Sequence, residues 1–329
     1  MQTIFVINPA AGKQNAAPAL IPQIRAAAQR AGAEVRIEVT RAAGHAEQIA
    51  AQAAASGETT RLYACGGDGT LREVLQQAAR HPNVQVGSVP CGSGNDYVRN
   101  FGGSAKFLDF DAQLAARPVD LDLIETEYGY AADIVAAGLD AQVAYGIPKF
   151  RRLPLCGGTT AYTLSILQAV FGNFRHRIAV QTDEGAMQDD YMLAAICNGR
   201  LYGGGYCAAP YASMRDGMLD VLLVKPVPRI KLPGFLAAYK KGQHLLPDGS
   251  VAPAFAPYMQ FTRTHTLNLT VEEQRPIIAT LDGECAPCMQ LHASVASGAW
   301  QALLPAGVED SNTVLAAECP LQTGRKQNV

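Results

Sequence analysis

The 329-residue chain has few cysteines, eight in all, a single tryptophan, and no excess of either charge: 27 Lys and Arg stand against 29 Asp and Glu, a formal charge of −2. Cysteines so sparse exclude a disulfide scaffold, and a reducing cytoplasm is the expected setting. The near balance of charge removes the basic excess of a nucleic-acid coat, so no nucleic-acid partner is expected. No apolar run reaches the ~20 residues that cross a bilayer, because Asp133, Asp140, Lys149, Arg175 and Arg177 interrupt the greasier stretches. The start Met1-Gln2-Thr3-Ile4-Phe5-Val6 lacks the basic and then apolar segments of a signal peptide. Zinc is not expected either: Cys285-Ala-Pro-Cys288 has no second pair, and the six histidines show no HExxH spacing.

The chain does have 48 % hydrophobic residues, 31 Gly and 19 Pro, the profile of a folded protein long enough for two domains. Its first 120 residues alternate strand and helix patterns. Ile4–Ile7 precedes a helix through Ile21–Ala31 that Gly32 stops; Val35–Val39 precedes a helix over His45–Ser56. Leu62–Cys65 and a helix over Thr70–Arg80 follow, then Val84–Val89 and a short helix over Asn95–Phe101. That order predicts a parallel sheet with helices on both faces and ligands at the strand C-terminal ends.

From about Ile124 the texture changes to short apolar segments between turns, as in Arg177–Gln181, Tyr191–Cys197, Leu219–Val224, Phe261–Val271 and Ile277–Leu281. A mostly antiparallel β-sandwich is expected. Two segments differ: Tyr162–Phe174 has apolar residues at helical spacing, and Arg229–Leu245 sets Phe235, Leu236 and Tyr239 among basic residues. Basic residues beside an apolar face suit a membrane surface, although helices that cover a sheet share the pattern. The expected fold class is therefore α/β plus β. An α/β nucleotide-binding domain spans 1–124, with the C-terminal segment 303–318 a candidate to join it. The sandwich spans 125–302, and residues 319–329 form a disordered tail.

Three loops at predicted strand ends are built from small residues: Asn8-Pro9-Ala10-Ala11-Gly12-Lys13, Gly66-Gly67-Asp68-Gly69-Thr70 and Gly92-Ser93-Gly94-Asn95-Asp96. Glycines admit an anion close to backbone N–H groups, and a following helix N-terminus adds partial positive charge, so the second and third loops are candidate phosphate cradles. Thr70 with Glu73, and Ser93 with Asp96, have capping-box spacing and predict helix starts at Thr70 and Ser93. The common fingerprints are not met. Gly12-Lys13 lacks the upstream glycine of a P-loop, and Arg72 stands where a Rossmann turn has its third glycine. Asp68 is informative. A carboxylate ~4 Å from a phosphate repels it by about 1 kcal/mol per charge pair in water, and by about 4 at an effective dielectric of 20. An intervening Mg²⁺ removes that conflict, which favours a metal–triphosphate complex.

These three loops together resemble the diacylglycerol kinase catalytic family, which includes sphingosine and ceramide kinases and soluble bacterial lipid kinases. Gly66–Thr70 alone also suits NAD kinases; Gly92–Asp96 favours the lipid kinases. The resemblance continues through Asn198, Gly203-Gly204-Gly205, Asp216-Gly217-Met218-Leu219-Asp220 and Asp282-Gly283-Glu284. It implies ATP held by Asn8–Lys13, Thr40, Gly66–Thr70 and Gly92–Asp96, with Lys13 neutralising phosphate charge. Glu284 is then the general base for a lipid hydroxyl, Asp282 and Asp68 are supporting carboxylates, and Ser213, Asp216 and the Met218 carbonyl bind a structural Mg²⁺. Arg72 and Ser93 depart from the pattern, and Ser93 keeps the hydroxyl. The implied activity is phosphorylation of a membrane lipid, diacylglycerol first, by a cytoplasmic enzyme peripherally bound to the membrane. A homodimer is compatible with it. The rival readings are an NAD kinase and a non-catalytic nucleotide- or lipid-binding regulator on the same scaffold.

Overall fold

The structure, a computed structural model, describes residues 1–151 and 158–309. Residues 310–318 of the expected joining segment, and the expected tail, lie outside that range.

The first half runs β1 (Gln2–Ile7), α1 (Ala17–Ala31), β2 (Arg36–Val39), α2 (His45–Ser56), β3 (Thr60–Gly66), α3 (Asp68–Ala78), β4 (Val84–Pro90), α4 (Asp96–Arg99), α5 (Phe110–Leu114) and β5 (Arg117–Thr126). The helices form because one stripe of each is apolar. Leu20, Ile24, Ala27 and Ala28 of α1, and Leu71, Val74, Leu75 and Ala78 of α3, are buried at helical spacing. Helix α1 begins earlier than its apolar stripe, because the Asn15 side chain accepts the Ala17 N–H at 2.9 Å. Strands β2-β1-β3-β4 lie side by side and parallel. The register pairs Ile7 with Val39 and with Cys65, and Gly66 with Pro90. All four C-terminal ends therefore open on one edge, and the loops after them become neighbours.

The second half runs β6 (Gly129–Ala131), β7 (Ile134–Gly138), α6 (Leu139–Arg151), α7 (Gly158–Phe171), β8 (His176–Thr182), β9 (Gly185–Tyr191), β10 (Leu193–Cys197), β11 (Leu201–Tyr202), β12 (Tyr206–Cys207), β13 (Leu219–Val224), α8 (Leu232–Lys240), β14 (Met259–Thr264), β15 (Thr266–Val271), β16 (Ile277–Leu281), β17 (Glu284–Cys288) and β18 (Gln290–Leu304). An antiparallel sheet of order β14-β13-β10-β7-β16-β17 faces the β18-β15-β8-β9 end of the first sheet. Val135, Ile196, Val221 and Leu281 from one side, and Ile178, Val180, Leu267 and Leu291 from the other, share one buried core. Strand β18 crosses between the halves, pairing with β15 near its start and parallel to β4 at Gln301–Leu303. Trp300 on β18 is buried against Tyr97 and donates to Val86 O at 3.0 Å, so it packs.

Some local expectations need correction. Helix α3 starts at Asp68 with Gly67 as its cap, and α4 starts at Asp96 with Asn95 as its cap, neither with a side-chain cap bond. Thr70 and Ser93 cap neither helix: α3 is entered two residues before Thr70, and α4 three residues after Ser93, once Asn95 has turned into the left-handed region. The run Phe261–Val271 is two strands broken at His265, whose backbone N–H turns to Asp183. Of Arg229–Leu245, only Leu232–Lys240 is α-helix. Helix α6 follows β7 directly, and its apolar residues continue those of the strand, so hydrophobic periodicity does not separate the two.

The halves are pinned by buried polar groups. The Asn198 side chain, fully buried, donates to Asp122 O at 2.8 Å and Ala132 O at 2.7 Å. Asp122 accepts the N–H groups of Gly217 and Gly298, both at 2.8 Å, which fixes two turns of the second half. Asn198→Ala leaves two buried carbonyls unpaired and is expected to cost about 2–4 kcal/mol, measured by urea unfolding.

Candidate active site

The three loops meet as the strand register requires. Asn8 Nδ2 donates to Thr70 Oγ1 at 3.0 Å, and Asn8 Oδ1 accepts the Ala10 N–H at 3.0 Å. Thr40 N–H donates to Ile7 O at 2.8 Å, which seats Thr40 beside Asn8. Gly67 and Gly92 touch backbone to backbone: a Cβ on Gly92 would stand 2.3 Å from Gly67 Cα, so only glycine allows the two loops to close. Asn95, at φ 55°, braces the third loop by bonding both ends of Gly92 at 3.1 and 2.9 Å. Lys13 is exposed at the rim.

The second half supplies the facing wall. Asp282 and Gly283 have φ of 46° and 97°, a two-residue turn with both central residues left-handed between β16 and β17. The Asp282 carboxylate holds this turn in place. It accepts the N–H groups of Ala132 (2.6 Å), Ile134 (2.9 Å) and Asp133 (3.1 Å). Glu284, exposed, is thereby carried to the Asp68–Thr70 loop: a Cβ built on Gly69 would lie 3.8 Å from Glu284 Oε1. Arg72 does not point to solvent. Its guanidinium donates to Tyr128 O at 3.3 Å and its charge favours ionised Asp282.

Four carboxylates share the cleft. Asp68 Oδ1 accepts the Asp96 N–H at 2.7 Å, and Asp96 accepts the Gly204 N–H at 3.1 and 3.2 Å. Buried Asp133 accepts from Asn100 Nδ2 at 2.7 Å. Burial, then the charges of Asp96 and Asp282, push the Asp68 carboxyl up to about 7. Burial, then Asp282, Asp68 and Asp96, raise Asp133 well above the usual carboxylate range. Burial raises Asp96 and Asp282 as well, against the pull of their N–H donors. Among the described residues no three His, Cys, Asp or Glu side chains converge as metal ligands. Carboxylates that repel one another at the mouth of a phosphate cradle nonetheless fit a divalent cation that phosphate oxygens help to hold.

These acids line one end of a cavity of about 420 Å³. The other end is apolar, formed by Leu139, Val143, Ala144, Ile147, Ile166, Val170 and Leu236 of α6, α7 and α8. Between the ends sit Asp140, pushed up to about 7 by burial, and Tyr202, whose hydroxyl donates to Asp140. Asp133, Asp140 and Tyr202 were absent from the residues expected above. Their signal was available: Asp133 and Asp140 are lone carboxylates in the apolar run Ala131–Ala141.

Ser213, Asp216 and Met218 lie away from this cavity's lining. Asp216 Oδ1 accepts the Met218 N–H at 3.1 Å, and Oδ2 pairs with Arg263, whose Nε also bonds Asp220 at 2.9 Å. Asp216 thus already has a cationic neighbour.

The shift at Asp68 has a sign. A carboxyl whose folded pKa, about 7, lies above its ordinary 3.8 stabilises the fold below about pH 4, and that contribution is lost as pH rises toward 7. In the absence of nucleotide and metal, Asp68→Asn should raise Tm at pH 8 by about 2–4 °C or more and leave it unchanged near pH 4. Differential scanning calorimetry at the two pH values checks this.

Comparison with known proteins agrees with this architecture. Residues 2–126 match the diacylglycerol kinase catalytic domain, and residues 133–304 match the YegS C-terminal NAD kinase beta sandwich-like domain. A Pseudomonas aeruginosa protein named "Probable lipid kinase YegS-like" is 31 % identical over 292 residues, 86 % of this chain and 88 % of that protein. A Bacillus subtilis protein named "Diacylglycerol kinase" is 26 % identical over 285 residues, 85 % of this chain and 88 % of that one. A crystal structure of a diacylglycerol kinase from Bacillus anthracis str. Sterne superposes with a TM-score of 0.68 at 16 % identity, covering 94 % of this chain and 98 % of that one, a likeness of fold. The chain belongs to the diacylglycerol kinase catalytic family, with the YegS type of second domain, and is a lipid kinase.

Proposed function

We propose that the enzyme transfers the γ-phosphate of ATP, as its magnesium complex, to the hydroxyl of a membrane lipid, with diacylglycerol to phosphatidate as the reaction. The observation that carries this reading is the approach of Glu284 to the Asp68–Thr70 loop at the acidic end of a cavity whose other end is apolar. The nucleotide lies along Asn8–Lys13, Thr40, Gly66–Thr70 and Gly92–Asp96, with the N-terminus of α3 and Lys13 toward its phosphates. Asp68 and Asp96 face the same space and would hold the magnesium, which when bound neutralises charge on the phosphates. The lipid's chain occupies the apolar end, its hydroxyl reaches the acidic end, and Glu284 takes the hydroxyl proton as the oxygen attacks the γ-phosphorus and the bond to the β-phosphate breaks, releasing ADP. Asp282 acts through the turn it anchors, as the residue that positions Glu284.

Glu284→Gln keeps the shape of the side chain and removes the base. Turnover should fall on the order of 10²–10⁴-fold while ATP binding, followed by calorimetry, persists. The assay is transfer of labelled γ-phosphate to a panel of lipids in mixed micelles, with NAD and buffer as control acceptors. Labelled phosphatidate supports the reading; labelled NADP overturns it, and no product from any acceptor favours a non-catalytic regulator.

A second magnesium at Ser213, Asp216 and Met218 completes the proposal for the sandwich domain, where oxygen ligands suit that ion. Thermal unfolding of the enzyme during magnesium titration without ATP should show a rise in Tm that Asp216→Asn abolishes. No rise in the unmodified enzyme overturns this second site.

A further inference from the structure

The cleft lies inside the protein, yet helices α7 and α8, whose inner residues Ile166, Val170 and Leu236 line its apolar end, also present an outer face. Ile230, just before α8, is 90 % exposed, and Phe171, at the end of α7, is 75 % exposed. Leu167, one helical turn before Phe171, is exposed as well. Large apolar side chains left in solvent on one patch mark an interaction surface.

Arg229 locks this patch together. Its Nε donates to Val170 O at 3.1 Å, its Nη2 donates to Gly172 O at 3.3 Å, and its guanidinium covers the Phe174 ring at 5.1 Å. These two carbonyls flank Phe171, so the Arg229 side chain ties the segment that carries Ile230 to the end of α7. Cations gather beside the patch on one segment: residues 226–247 contain Arg229, Lys231, Lys240 and Lys241 and no Asp or Glu. Farther along the neighbouring segments, Arg175, Arg177 and Lys225 pair with Asp190, Glu272 and Asp189. Lys231 and Lys240 lie against the rings of Tyr258 and Tyr206 at 5.7 and 5.0 Å, and among the described residues neither pairs with a carboxylate.

We propose that the Arg229-pinned patch of Phe171, Leu167 and Ile230, with its cationic surround, docks on an anionic lipid bilayer with Ile230 and Phe171 as the inserting side chains. The choice of occupant rests on the reading of the cavity as the lipid-acceptor site. A bilayer suits both features: apolar side chains enter the acyl boundary while each cation near the surface gains about 1 kcal/mol from anionic headgroups. Docking here sets the outer face of α7 and α8 on the lipid, and their inner face lines the route an acceptor follows to the acidic end. The patch thus joins the site to the phase in which its substrate is dissolved.

The test is sedimentation of the full chain, without ATP, with vesicles of phosphatidylcholine alone or with about 30 % phosphatidylglycerol, at low and high salt. Binding to the anionic vesicles, weakened by salt, is expected. Ile230→Ser with Phe171→Ser should weaken it at least about 10-fold through lost apolar burial. Lys231→Gln with Lys241→Gln should weaken it about 30-fold. Unchanged thermal unfolding shows that each variant is folded. Failure of the unmodified enzyme to bind anionic vesicles, or equal binding by both variants, overturns the proposal. Phosphorylation of a short-chain acceptor that is monomeric in solution is read in parallel and should be equal in all three proteins. Vesicle binding without any such phosphorylation overturns the kinase reading and leaves the docking surface standing.

Discussion

Four carboxylates in one cleft set the terms for the rest of the architecture. Asp96 and Asp282 raise the proton affinity of Asp68, and together with Asp68 that of Asp133, in surroundings whose dryness raises all four. The fold answers chiefly with backbone and amide N–H groups rather than with cations. Asp68 takes the N–H of Asp96, Asp96 that of Gly204, Asp133 an amide of Asn100, and Asp282 three successive N–H groups. Arg99, 3.3 Å from Asp96, and the more distant charge of Arg72 are the partial exceptions. Fixed dipoles orient these oxygens without supplying a countercharge, an arrangement that suits the metal nucleotide of the proposed function, which carries its own divalent cation.

The same donors join the two halves. Gly204 belongs to the sandwich half and Asp96 to the nucleotide half, and Asn100 of the first half meets both Asp133 and the Arg200 N–H of the second. The acidic cluster is thus a seam as well as a site. A change in the charge there, on binding or release of a metal nucleotide, acts on contacts that also set how the halves meet. Buried Asn198, which bonds carbonyls on both sides, and β18, which pairs with strands of both, tie the halves together independently of that charge.

Much of this was legible in the sequence, for identifiable reasons. The βαβ order of the first half, the sandwich texture of the second and the three small-residue loops follow from periodicity and turn chemistry, which are local. Asp282-Gly283 was legible as a tight turn and not as an anchor, because the three N–H groups that its carboxylate holds lie about 150 residues earlier in the chain. The starts of α3 and α4 were misplaced since a capping box reads only the Thr70–Glu73 and Ser93–Asp96 spacings. The long-range contact of Gly67 with Gly92, which joins the two turns that lead into those helices, has no signature in either spacing. Asp140 and Tyr202 were missed because their meeting is made by β11 and α6, neither of which periodicity alone distinguishes.

The polarity of the cavity sets the direction from which substrates enter. ATP is highly charged and soluble, and the strand-end loops that suit it open with Lys13 at their exposed rim. A lipid acceptor has the opposite preference: desolvating its hydroxyl costs free energy, whereas burying its chain among Val143, Ile147, Ile166 and Leu236 gains about 25 cal/mol per Å². On the proposed reading the apolar end binds the part of the acceptor that does not react, and that binding free energy offsets the cost of drawing the hydroxyl toward the acidic end. Asp140 and Tyr202 stand where the cavity changes from apolar to acidic, with Tyr206 and Thr280 also on its lining, so on the same reading a polar headgroup meets hydrogen-bonding partners there before it reaches Glu284. Discrimination among lipid alcohols with the same chains has to arise there or at the acidic end, because the apolar walls contact only what such lipids share.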